Sequence, residues 1–169
     1  DMKNWRREGR VFPGEPSWAK GVAKTFDGHV WAPDVQHHNG KYYLYYSVSA
    51  FGKNTSAIGV TVNKTLNPRS PDYRWVDQGI VVQSVPGRDN WNAIDPNVIE
   101  DTAGNGWMSF GSFWSGIKMF KLNADWTRPA EPQEWKTIAA RERPPFSPDA
   151  APEPAEIEAP FIFRKGDSA

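Results

Sequence analysis

The chain has 169 residues, and its 20 Lys and Arg are balanced by 20 Asp and Glu, so the formal net charge is zero. A neutral surface argues against a nucleic-acid partner or an acidic membrane surface, and the apolar runs are too short to span a bilayer. The lack of cysteine excludes disulfides, thiolate metal sites and a cysteine nucleophile. An aromatic content of 14%, with 9 Trp, favours carbohydrate binding, because aromatic rings stack on sugar faces without needing charge.

Short segments rich in β-branched and aromatic residues follow one another along the chain, separated by Pro and Gly. Asn39-Gly40 is a strong hairpin signal before the Tyr-rich segment, and Gly104-Asn105-Gly106 is a similar turn before Trp107. We predict strands at residues 41–48, 57–62, 79–82, 107–113, 117–122 and 160–163. The predicted fold class is therefore all-β.

A repeated pattern divides the chain. The units Trp31-Ala32-Pro33-Asp34-Val35, Ile94-Asp95-Pro96-Asn97-Val98 and Glu158-Ala159-Pro160-Phe161-Ile162 each carry Pro followed, two residues later, by a β-branched residue. Their prolines are spaced 63 and 64 residues apart. A period of about 60 residues with four short strands is close to the size of one β-propeller blade. Because inner strands start near the propeller axis, we expect Trp31, Asp95 and Glu158 to converge on one cavity.

The repeat defines the predicted domain organisation. Residues 1–30 are expected to be the end of a preceding blade and a connection, with an outer strand at 1–12. Residues 31–93 and 94–157 are expected to be two blades, and residues 158–169 the start of the next. Propellers have about 4 to 8 blades, so a chain of about two and a half blades is expected to be cut at both ends.

Two carboxylates at repeat starts are the main catalytic candidates. Asp95 precedes a proline, and Asp-Pro is also an ordinary turn starter. Glu158 stands where the other repeats have large apolar residues, and burial there would raise the pKa of its carboxyl, as a general acid requires. The alternative for Glu158 is a solvated acidic stretch that includes Glu153 and Glu156.

Aromatic side chains are the predicted sugar-binding groups. Trp31 opens a repeat and Phe51 follows the Tyr-rich segment, although either ring could instead pack in the core. The three histidines, His29, His37 and His38, lack the spacing of metal ligands. No metal site is predicted from these residues.

Several motifs together resemble the α-L-arabinanases of glycoside hydrolase family 43. The resemblance extends from residue 1 to about residue 167 and is carried by WAPDV, YLYYSVSAFGKNTSAIGV, WNAIDPNVI, WMSFGSFWSGIKMF and IEAPFIFRKGD. It implies a five-bladed β-propeller that hydrolyses α-1,5-linked L-arabinan with inversion, using three carboxylates. It also implies that the protein is secreted or periplasmic.

The resemblance implies a role for each matching residue. Glu158 in EAPF matches the general acid, and Asp95 in IDPNVI matches the residue that tunes the pKa of the acid and orients it. Substrate-binding positions are implied for Trp31, Phe51, Asn92 and Ser112.

Other parts of the family pattern have no counterpart in this sequence. The general base is missing, and neither Asp27 nor Asp34 lies in its motif. Family members can also hold a calcium or similar ion on the propeller axis through a His in the last blade. No cofactor is expected in this chain.

Three interpretations follow. The first is an arabinan-degrading glycosidase that is incomplete in this chain, so that the isolated chain is inactive or weak. The second is a non-catalytic module that binds arabinan or arabino-oligosaccharide. The third is an assembly element whose open edges pair with a second copy or with a complementary propeller half.

Overall fold

The computed structural model describes residues 2–148, 151–152 and 156–166. These residues form one short helix and eight strands: α1 Ala19–Val22, β1 Trp31–His38, β2 Lys41–Val48, β3 Ser56–Asn63, β4 Val76–Ser84, β5 Asn97–Glu100, β6 Gly106–Phe110, β7 Ile117–Lys121 and β8 Lys136–Ala139. None of the helical structure in these ranges is long and apolar enough to cross a membrane.

The strands form two separate four-stranded antiparallel sheets. The first has the order β1-β2-β3-β4 and the second the order β5-β6-β7-β8, so neighbours in sequence are neighbours in space. This up-and-down arrangement of four strands is the form of a propeller blade. The all-β prediction is confirmed, whereas the boundaries at residues 31, 94 and 158 stay a prediction.

The predicted hairpin at Asn39-Gly40 joins β1 to β2. His38 pairs with Lys41 across the turn, and Asn39 and Gly40 have φ angles of 48° and 71°. Two successive positive φ angles are what a tight two-residue hairpin of type I′ requires. The local sequence therefore favours this connection.

Strand β2 is buried on both faces, which explains its nearly continuous run of aromatic and aliphatic residues. Tyr43 and Tyr45 belong to the core between the two sheets, where they meet residues such as Met108 and Phe110 of the second sheet. On the opposite face Tyr46 and Val48 belong to a second cluster. That cluster also contains Ala19, Ala23 and Phe26, with Phe12 and Trp18 packed against it.

Hydrogen bonds reinforce the packing of one sheet on the other. The buried Tyr45 hydroxyl donates to the Trp126 carbonyl oxygen at 2.8 Å, and the Val98 N–H donates to Asp34 Oδ2 at 2.7 Å. The His38 ring stacks on the Trp126 indole with centroids 3.9 Å apart. Asp34 thus acts as a link between the sheets.

Two strand predictions are wrong in the part of the chain that can be described. Residues 2–12 form no strand, and Asp1 lies outside the described residues. Residues 160–163 are not a strand either, and both Phe161 and Phe163 are exposed there. A strand requires a hydrogen-bonded neighbour, and each described strand pairs only within its own sheet. Composition favourable to β-structure was not sufficient at these two places.

The three repeat units share a backbone conformation. The residue before each repeat proline, Ala32, Asp95 or Ala159, has a positive φ angle of 44°, 58° or 54°. Positive φ is uncommon for residues other than glycine. Its recurrence at matching positions shows that the residue before the proline has the same unusual φ in each repeat.

Candidate active site

The predicted site residues come together in one cleft. It has a volume of about 540 Å³, within the range of ligand pockets. It lies where the β2–β3 turn, the segment before β5, the β6–β7 turn and the chain near residue 158 meet. All six predicted residues line it: Trp31, Phe51, Asn92, Asp95, Ser112 and Glu158. The expected convergence of Trp31, Asp95 and Glu158 is therefore observed.

Asp95 is the more enclosed of the two carboxylates. Its N–H donates to Ser47 Oγ at 3.1 Å, and its Oδ2 accepts a hydrogen bond from the Ala159 N–H at 3.2 Å. Burial, and then the nearby charge of Glu158, raise the pKa of Asp95 to about 6. Asp95 is therefore electrostatically coupled to Glu158 and touches the segment that carries it.

Glu158 is exposed, so the expectation of a buried carboxylate at this position is wrong. Its backbone lies on an open segment at the rim of the cleft, and the enclosed position belongs to Asp95. Glu158 is nevertheless held in place, because Glu158 Oε2 accepts a hydrogen bond from Ser112 Oγ at 2.9 Å. Glu153 of the alternative acidic stretch lies outside the described residues, and Glu156 is exposed.

The two predicted aromatic residues differ in their surroundings. The Phe51 side chain is 95% exposed, so core packing is excluded for it. Trp31 is half-buried at the start of β1, opposite Ser47 of β2. Phe51 lies in the turn closed by the hydrogen bond from the Lys53 N–H to the Ala50 carbonyl oxygen at 3.1 Å. An exposed ring and a half-buried ring that line the same cleft are suited to stacking on a sugar chain.

Asn92 is held by a buried polar network. Its Oδ1 accepts a hydrogen bond from Ser56 Oγ at 2.6 Å, and Ser56 Oγ is 2.7 Å from Ser49 Oγ. Next to it, Ser84 Oγ donates to the Asn54 carbonyl oxygen at 2.8 Å. Satisfied buried networks of this kind restrict side-chain motion, so the Asn92 amide is presented to the cleft in a defined orientation.

Eight further residues line the cleft without having been predicted as site residues. Lys53, Phe113 and Trp114 have the largest side chains among them. Phe113 and Trp114 fall inside the predicted strand 107–113 or directly after it, but β6 ends at Phe110 and they form a turn. The glycines Gly111 and Gly116 on either side of the dipeptide were the available sequence signal for that turn.

The described residues do not suit the axial metal ion that the family resemblance implied. Among them, no three His, Asp or Glu side chains lie close enough together to hold a metal ion. The axial ion stays a prediction, and no step proposed below depends on it.

The full length of the chain, residues 1–169, matches the model for Glycosyl hydrolases family 43. The chain belongs to glycoside hydrolase family 43. The family membership predicted from the motifs is confirmed, and the two sheets are two blades of the five-bladed propeller found among its arabinanases.

Named relatives of this family 43 chain act on arabinan. It is 67% identical over 99% of its length to an extracellular exo-α-(1→5)-L-arabinofuranosidase of Cellvibrio japonicus, of which it covers 48%. It is 44% identical over 76% of its length to an extracellular endo-α-(1→5)-L-arabinanase of Bacillus subtilis, of which it covers 38%. The chain thus spans about half the length of these relatives or less.

A solved structure agrees closely with the two blades. The Cellvibrio cellulosa α-L-arabinanase complexed with arabinohexaose matches with a TM-score of 0.96 and 66% identity, over 99% of this chain and 53% of that one. The agreement covers both sheets and the segments that line the cleft.

Proposed function

We propose that this chain supplies the general acid and part of the sugar-binding surface of an enzyme that hydrolyses α-1,5-linked L-arabinan with inversion. The observation that carries the proposal is the pairing of Asp95 and Glu158 in one cleft lined by aromatic rings. The identity of 67% to an arabinan-degrading relative supports the same substrate class.

Glu158 is proposed to protonate the oxygen of the departing sugar. Its exposed position at the cleft rim leaves the carboxyl accessible to substrate. Asp95 is proposed to orient Glu158 and to place a negative charge beside it, because Asp95 Oδ2 accepts a hydrogen bond from the N–H of Ala159, the residue after Glu158. Since the pKa of Asp95 is raised only to about 6, Asp95 carries that charge at neutral pH.

The general base is proposed to come from outside this chain. Inversion requires a second carboxylate about 6.5 to 9.5 Å from the acid, on the opposite face of the sugar, to activate water. In the described part of the chain, the carboxylates lining the cleft are Asp95 and Glu158. With Asp95 assigned to the tuning of the acid, the base belongs to other blades of the propeller.

Trp31, Phe51 and Asn92 are proposed to bind the arabinan chain. The two rings would stack on sugar faces and the Asn92 amide would hydrogen-bond hydroxyl groups. If the base is not supplied, the same surface would bind arabinan without cleaving it, which is the second candidate function.

Pairing with a complementary propeller half or with a second copy is also proposed. Phe161 and Phe163 are 74% and 68% exposed, and their ring centroids are 6.3 Å apart. Adjacent exposed aromatic rings are typical of surfaces that contact another protein element. Secretion of the protein is proposed because the two relatives carry the description extracellular.

The experiment is reducing-sugar release from linear α-1,5-arabinan, measured for this chain alone and for this chain joined to the remaining blades of a family 43 propeller. We expect turnover by the complete propeller and little or none by the chain alone, with xylan as the control polysaccharide. An inactive complete propeller that still binds arabinan would favour the binding module instead. Robust turnover by the isolated chain would contradict the proposed origin of the base.

A further inference from the structure

We infer that the turn at residues 111–116 is a spacer that fixes the two carboxylates relative to each other, with Ser112 as the positioning residue for Glu158. The inference rests on the proposed roles of Asp95 and Glu158. It assigns Ser112 to the acid, whereas the family resemblance implied a substrate-binding position.

Successive residues of the turn contact the two segments that carry the acids. The Gly111 N–H donates to the carbonyl oxygen of Ile94, the residue before Asp95, at 2.9 Å. The Phe113 N–H donates to the carbonyl oxygen of Ile157, the residue before Glu158, at 2.8 Å. Between them, Ser112 forms an antiparallel bridge with Glu158. Backbone hydrogen bonds from Gly111 and Phe113, on either side of Ser112, thus join the two segments.

The Ser112 side chain completes the connection. Its hydroxyl donates to Glu158 Oε2 at 2.9 Å, and the residue is only 4% exposed. A hydroxyl in this position holds one carboxylate oxygen inside the cleft and leaves the other available to substrate. Ser112 therefore acts through Glu158, because its one hydroxyl hydrogen is donated to that carboxylate.

The backbone of the turn is constrained to one conformation. Phe113 and Trp114 both have positive φ angles, 54° and 39°, which cost energy for side chains with a Cβ. Gly111 has a φ of 132°, and a Cβ added there would lie 2.7 Å from the Gly116 carbonyl oxygen. At Gly116, with a φ of 82°, an added Cβ would overlap the carbonyl oxygen of Ala139 on β8.

The far end of the turn is anchored as well. The Ser115 N–H donates to the Asn90 carbonyl oxygen at 2.9 Å, and Ser115 Oγ donates to Asn90 Oδ1 at 3.0 Å. The turn is therefore attached to the segment before Asp95 at both ends. Such attachment is what preorganisation of an acid requires, because small displacements of a catalytic group cost large factors in rate.

The test uses the complete propeller and compares the parent with Ser112→Ala and Gly116→Ala. Ser109→Ala is the control for Ser112→Ala, because Ser109 is also a buried serine but lies on β6 with its hydroxyl on the Asn97 carbonyl oxygen. Gly79→Ala is the control for Gly116→Ala, because Gly79 has a φ of 81° with open space around an added Cβ.

For Ser112→Ala we expect a kcat about 10- to 100-fold lower, as for loss of a hydrogen bond to a charged group, with KM changed less than about 3-fold. Gly116→Ala should lose far more kcat than Gly79→Ala. If Gly116→Ala does not fold, Ser112→Ala decides alone.

Two results would overturn the inference. A raised KM with unchanged kcat in Ser112→Ala would place Ser112 against the sugar, and a kcat equal to that of Ser109→Ala would make the turn merely structural. Failure of the proposed function is distinct, because the parent would then not hydrolyse arabinan or Glu158→Gln would retain full activity.

Discussion

Replacing Asp95 with Asn is predicted to stabilise the folded protein at neutral pH while lowering its activity. In the folded chain the pKa of Asp95 is raised from 3.8 to about 6, first by burial and second by the charge of Glu158. The folded protein therefore holds this proton more tightly than the unfolded chain does. Above the folded pKa, the ionised Asp95 destabilises the fold, and an amide of the same shape removes that cost.

The pH window and the size of the effect follow from linkage. Between about pH 4 and 6 the unfolded chain has lost the proton and the folded chain keeps it, so the parent's stability falls as pH rises through this window and then levels. A shift of one pKa unit corresponds to about 1.4 kcal/mol. Raising the pKa of Asp95 from 3.8 to about 6 corresponds to about 3 kcal/mol as an upper bound. Because Asp95 is partly open to solvent, Asp95→Asn should gain about 1 to 2 kcal/mol in free energy of unfolding above pH 6.

The assay is urea unfolding of the parent and Asp95→Asn at intervals from pH 4 to pH 8. The gain should be near zero at pH 4 and largest at pH 7 to 8. Asp101→Asn is the control of opposite sign, because hydrogen bonds from Trp107 and Asn105 hold the pKa of Asp101 well below its usual value. That variant should be destabilised at neutral pH and approach the parent as pH falls. A pH-independent difference for Asp95→Asn, or a loss of stability at pH 8, would refute the reasoning.

Two further substitutions test binding and stability. Phe51→Ala should raise KM for arabino-oligosaccharides about 2- to 10-fold through loss of ring stacking without changing the unfolding temperature. Phe146 is an equally exposed ring that does not line the cleft, so Phe146→Ala should change neither KM nor the unfolding temperature. An unchanged KM for Phe51→Ala would show that Phe51 does not bind the sugar. Ser84→Ala should lower the free energy of unfolding by about 1 to 3 kcal/mol, because the buried hydroxyl donates to the Asn54 carbonyl oxygen and accepts from the Ala93 N–H. A loss below about 0.5 kcal/mol in urea unfolding would show that this network contributes little to stability.

The repeat pattern and turn chemistry were sufficient to predict most of the architecture. Asn39-Gly40 defines its hairpin through local φ preferences, and the spacing of the repeat prolines predicted that distant segments share one cavity. Strand β1 was missed because Pro33 lies near its start, where the register shifts between Trp31 and Asp34 and the irregularity accommodates the proline. Strand β8 is exposed along its length, so it lacks the apolar pattern that marks a half-buried strand.

The finer structure of the site depends on contacts between residues far apart in sequence. The hydrogen bond from Ser112 to Glu158 spans 46 residues, and no local pattern indicates it. Burial was assigned to Glu158 from the apolar residues at matching repeat positions, but the structure encloses Asp95 instead. Which of two carboxylates is buried depends on how neighbouring segments pack, and a repeat alignment does not contain that information.

The most direct test of the central claim is the effect of Glu158→Gln on hydrolysis of linear α-1,5-arabinan by the complete propeller. Glutamine keeps the shape and accepts the Ser112 hydrogen bond but cannot donate the proton, so kcat should fall about 10²- to 10⁴-fold. Glu156→Gln, an exposed residue on the same segment, is the matched control and should match the parent. Activity of Glu158→Gln within a few-fold of the parent would contradict the assignment of Glu158 as the general acid.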